Sequence, residues 1–104
     1  GGTLLAGFVN PLVYIFDIDK WDAEGKLEVR YRIPYSDIAQ LPPEVLASRV
    51  ASRETMEFGH SLDDQIGGQI AAGFSIAGFF EDKSGGDFLD PYICTFIATR
   101  AVKP

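Results

Sequence analysis

Cysteine is nearly absent: Cys94 stands alone in 104 residues, which excludes an internal disulfide and a multi-cysteine metal site. Its setting in "YICTFIATR" reads as a buried strand position. Basic residues are scarce as well, nine against fifteen acidic ones, for a net charge of -6. They are scattered rather than clustered, so nucleic acid is not an expected partner. Long apolar runs are missing. Leu12 to Phe16 and Phe74 to Phe80 fall far short of the ~20 residues that span a bilayer, so no membrane partner is expected either. No basic start leads into an apolar stretch and a small-residue cleavage site, and the expected location is the cytoplasm. An initiator Met is lacking too. "GGTLLAGFVN" runs from a turn straight into an apolar segment, as the start of a fragment does.

What is present suits one domain or part of one, because a chain of this size buries a single core. Thr3 to Val9 is an apolar run between Gly-Gly and Asn-Pro, and reads as a strand buried on both faces, as in a parallel sheet. Asn10 suits a helix N-cap with Pro11 in the first helical position. "LVYIFDIDKWD" fits both helical spacing and strand composition. "KLEVRYRI", Lys26 to Ile33, alternates strictly and predicts a half-exposed antiparallel strand with Leu27, Val29, Tyr31 and Ile33 on one face. "LPPEVLASRVASR" predicts a short helix entered through prolines, with Val45, Leu46 and Val50 on one side.

The segment "HSLDDQIGGQIAAG", residues 60–73, holds the only histidine, adjacent carboxylates and a glycine pair. Ser61 with Asp64 resembles a capping box, and Asp63 and Asp64 favour the positive end of a helix dipole. Leu62, Ile66 and Ile70 recur every four residues, and Gly73 suits a left-handed C-cap, so a helix of about three turns is expected. Gly67 and Gly68 lie inside that pattern, where close packing against a strand or ligand explains them better than a phosphate loop. The runs Phe74 to Phe80 and Tyr92 to Val102 are joined by "EDKSGGDFLDPY", which lacks a crossover helix. They should pair antiparallel.

The chemical candidates are few. His60 stands out because histidine is the side chain whose ordinary charge change falls near neutrality, and Glu57, Asp63 and Asp64 are close in sequence. One histidine with irregularly spaced carboxylates does not make a metal site, and none is expected. The aromatics Phe8, Tyr14, Phe16, Trp21, Tyr31 and Tyr35 are either ordinary core or the wall of a ligand pocket, with Asn10, Tyr14, Tyr35 and Gln65 as its polar groups.

"GGTLLAGFVNP" resembles the Gly-Gly turn and fifth strand of class I S-adenosylmethionine-dependent methyltransferases. "HSLDDQIGGQIAAGFSIAGFFED" followed by "YICTFIATRAVKP" is similar to the last helix and closing antiparallel strand pair of a bacterial branch. The resemblance implies an α/β fold, the C-terminal half of a Rossmann-like sheet, with residues 11–59 inserted to bind the methyl acceptor. It implies S-adenosylmethionine as cofactor, held mainly by an upstream half without counterpart here, and a chain inactive alone. A small-molecule acceptor is implied, with His60 as base and Tyr14 or Tyr35 as pocket wall. An unpaired strand would favour a homodimer or strand-swapped dimer. The competing expectation is a non-catalytic α+β module that binds a small apolar ligand or a protein partner, with residues 26–33 in one sheet with the later strands.

Overall fold

A computed structural model describes residues 1–104. By contacts they form two compact units, Gly1–Val13 with Ser61–Pro104, and Tyr14–His60. Strands and helices are both present, and every strand pairing is antiparallel.

The first unit is built on a three-stranded sheet, β1 (Gly2–Val9), β4 (Ser75–Asp82) and β5 (Phe96–Lys103), in the order β1-β5-β4. β5 is central, and its alternation is the clearest in the chain: Ile97, Thr99 and Ala101 are buried while Arg100 and Lys103 are exposed. β4 and β5 pair antiparallel as expected, with a register shift between Ile76 and Gly78. β1 is a strand, as read from the sequence, but it is not buried on both faces. It lies at the sheet edge with β5 as its one partner, its residues Gly2 to Leu5 are exposed, and Leu5 keeps 75% of its surface. β1 and β4 each run against β5, and so run in the same direction as each other.

The helix expected after Ser61 forms, but its first part is π-helical (Asp63–Gly67) before a single α turn, α4 (Gly68–Ala71). Ser61 Oγ accepts from Asp64 N–H at 3.1 Å, and Gly73 is left-handed with φ of 97°. The wide turn shifts the stripe. Leu62 and Ile70 stay 41% and 56% exposed, while Gln69 exchanges hydrogen bonds with Thr99 of β5 at 3.2 Å. The glycine pair is not explained by close packing in this chain: a Cβ on Gly68 would meet nothing within 4 Å, and one on Gly67 only the Asp63 carboxyl at ordinary contact.

The "KSGGD" loop closes on itself. Backbone N–H groups of Gly85, Gly86 and Asp87 all donate to Asp90 Oδ2 at 2.9–3.2 Å, so the donors that would cradle an anion are taken. Cys94 sits just before β5 rather than within it, and is half-buried.

A 3₁₀ turn (Pro11–Ile15), which Asn10 caps through Leu12 N–H at 3.1 Å, follows β1, and the second unit begins within it at Tyr14. Then comes α1 (Ile18–Glu24), whose N-cap is Asp17 and whose C-cap is the left-handed Gly25. Both alternatives for this segment were partly right about local shape, and a second cap decides where the α-helix begins. Residues 26–33 do not form the expected strand. They contribute one bridge, Val29 to Phe16, and Leu27 and Val29 are exposed, because no strand lies beside them to receive an alternating face. β2 (Tyr35–Ser36) leads into α2 (Asp37–Gln40), and α3 (Pro43–Ala51) follows as predicted. Its inner side carries Val45, Leu46 and Arg49, whereas Val50 is 59% exposed. β3 (Phe58–Gly59) pairs antiparallel with β2.

Candidate functional site

The polar centre of the Tyr14–His60 unit grows from the short β2–β3 ladder. Tyr35 pairs with Gly59 and Ser36 with Phe58, and Asp37 extends the ladder twice over. Its N–H donates to the Glu57 carbonyl at 3.0 Å, and its Oδ2 accepts from Glu57 N–H at 2.9 Å. The carboxylate therefore takes the place of the next backbone acceptor. Its other oxygen accepts from the Tyr35 hydroxyl at 2.5 Å and faces the Arg49 guanidinium at 3.9 Å. Asp37 is 1% exposed, and these partners are what allow a carboxylate to be buried there.

Aromatic rings pack around this carboxylate. Tyr14 stacks on Tyr35 with centroids 5.5 Å apart, and Tyr31 meets Tyr35 edge-on at 5.3 Å. Burial raises the Tyr14 hydroxyl above its ordinary pKa, with the Glu57 and Asp37 charges adding to it. Tyr35 is pushed up further, by burial first and then by its hydrogen bond to Asp37. Both phenols are held protonated, and the Tyr35 hydroxyl donates to Asp37. Arg49 also bonds both oxygens of Asp19, at 3.2 and 3.3 Å, and so ties α3 to α1.

Beside this network lies an open cavity of about 810 Å³, with Ile18 and Val45 among its apolar walls and Asp22, Glu44, Glu54 and Glu57 among its carboxylates. That volume is in the range of small-molecule sites. No three of His, Cys, Asp and Glu are grouped to hold a metal ion, and no helix is long and apolar enough to cross a membrane.

The residues singled out from the sequence are distributed as follows. Tyr14 and Tyr35 are brought together. His60 is exposed and follows β3 directly. Asn10 and Gln65 belong to the other unit, where both are half-buried; Asn10 spends its side-chain oxygen on the Leu12 N–H and its own N–H on the Thr95 carbonyl. Sequence reasoning missed Asp37, Arg49 and Asp19. Ser36 before Asp37 carries the one local signal there, a helix start: Ser36 Oγ accepts from Ala39 N–H at 3.4 Å.

No protein-family model matches the chain. It is 51% identical over 102 residues to a Bacillus subtilis (strain 168) protein named "Uncharacterized methyltransferase YbaJ". This chain is thus similar to part of a protein that carries a methyltransferase name. The match takes in 98% of the chain and 39% of the relative, so the chain spans about two fifths of that protein's length. The likeness to methyltransferases read from the two ends of the sequence is borne out, as is the reading of the chain as one portion of a longer protein.

Proposed function

We propose that this chain is the C-terminal part of an S-adenosylmethionine-dependent methyltransferase of the Rossmann-like class, and that it completes the sheet and shapes the acceptor pocket. The observation that carries the reading is the 51% identity to a protein named as a methyltransferase, of which the chain covers 39%. The edge position of β1 supports it: the open side of that strand offers backbone donors and acceptors to a further, parallel strand from the remaining length.

The residues of this chain do not fit the donor. Gly68 sits in helical backbone with its N–H on the Asp64 carbonyl, and the Gly85 and Gly86 N–H groups are taken by Asp90. Donor binding is therefore assigned to the rest of the parent. The chain's own contribution is acceptor handling: the cavity lined by Ile18, Val45, Arg49 and Glu57 supplies volume, the Tyr14–Tyr35 stack is proposed as a further acceptor contact, and His60 takes the acceptor proton.

Calorimetry with S-adenosylmethionine tests the division of labour. The 104-residue chain should give no binding heat, while the chain extended to its relative's length should bind; binding by the short chain would overturn the reading. In the extended protein, His60→Ala should slow formation of S-adenosylhomocysteine about 10²-fold or more, the usual share of a general base. Unchanged turnover would remove His60 from the mechanism.

A further inference from the structure

We infer that Asp37 is a positioning residue that sets His60 in place through the backbone of residues 57–59. The inference rests on the reading of His60 as the proton acceptor, but its geometry stands apart from that reading. His60 follows a strand of only two residues, and such a strand is too short to hold its own end. Asp37 lengthens the ladder by one rung with its main chain and by another with its carboxylate, both directed at Glu57. From the other side, Gly59 lies so close to the Tyr14 ring that a Cβ there would come within 2.6 Å of Cδ2 and 3.2 Å of Tyr35 Cβ. The segment leading to His60 is thus clamped between a buried carboxylate and a tyrosine stack. Asp37 does not touch the reacting atoms. It acts on the two-residue strand that leads into His60.

The carboxylate's charge and its shape make separable predictions. An asparagine at position 37 can still accept from Glu57 N–H and can donate to the Tyr35 oxygen, so Asp37→Asn keeps the clamp; Asp37→Ala removes it. The test uses the chain extended to its relative's length, with the His60 ring resonance assigned by its loss in His60→Gln. Asp37→Ala should shift that resonance and speed amide exchange at Glu57 roughly tenfold, the loss of one hydrogen bond to a charged acceptor. Asp37→Asn should leave both close to the parent, and turnover should follow the same order. Asp17→Ala, which removes the N-cap of α1 in the same unit, serves as the control for plain destabilisation.

An unmoved His60 resonance in Asp37→Ala would overturn the inference, and so would an equal shift in Asp17→Ala. A shift confined to Asp37→Ala, combined with normal turnover in His60→Gln, would uphold the positioning role while rejecting His60 as the base.

Discussion

Single residues govern the pH limits of this fold. Asp17 is 7% exposed, caps α1 through Lys20 N–H and accepts from Arg30 Nη1 at 3.1 Å. Burial raises its carboxyl, but the Lys20 N–H and the Arg30 guanidinium outweigh it and hold the group below the usual carboxylate range. A folded value below the unfolded one means stability that is present above about pH 4 and lost as pH falls further. Asp17→Ala should therefore lower stability by about 1 kcal/mol at neutral pH and flatten the acid limb of a pH-dependent melting series. Tyr35 works in the opposite direction: with its pKa raised by burial and by Asp37, its contribution is intact below about pH 10 and fades as pH rises beyond that. Tyr35→Phe should reduce the alkaline loss measured by circular dichroism. Gly59→Ala drives a methyl into the Tyr14 ring and should cost roughly 1–3 kcal/mol in denaturant unfolding. Neither Asp17 nor Gly59 was legible as special in the sequence. An aspartate in a segment that fits both helix and strand, and a glycine outside any sequence pattern, take their roles from what packs against them.

At the scale of elements, capping chemistry was readable and partner-dependent pattern was not. Ser61, Asn10 and Gly73 act where local hydrogen bonding and backbone sterics put them, and α3 begins at its prolines. The alternation of Lys26 to Ile33 promised a strand, but a strand is defined by its neighbour, and here the backbone pairing stops at one bridge to Phe16 and bonds to the carbonyl of Ile15 and the N–H of Asp17. The stripe Leu62, Ile66, Ile70 presumed 3.6 residues per turn, and the π turn rotates it partly into solvent. Gly68 has ordinary helical angles and open space around its Cα, so Gly68→Ala should raise the melting stability of this chain by about 0.5–1 kcal/mol. A loss of stability would restore the close-packing explanation.

At the scale of the whole molecule, β1 presents an open edge with Leu5 exposed, and the 104-residue chain should associate as concentration rises, read by sedimentation. Extension to the relative's length should abolish that association if the open edge is then paired. The competing picture, with residues 26–33 in one sheet with the later strands, is not the architecture observed, since those residues form no strand and bridge only to Phe16. What the sequence by itself determined was the class of element at each end, the antiparallel pairing of β4 with β5, and the kinship to methyltransferases. Those follow from local chemistry, loop length and preserved residues. Only the tertiary structure decided that β1 is an edge, that Asp37 and Arg49 meet over 12 residues of sequence, and that Tyr14 stacks on Tyr35. The reason is physical: burial of a charge or a ring depends on which distant groups arrive beside it, and no local pattern encodes that arrival.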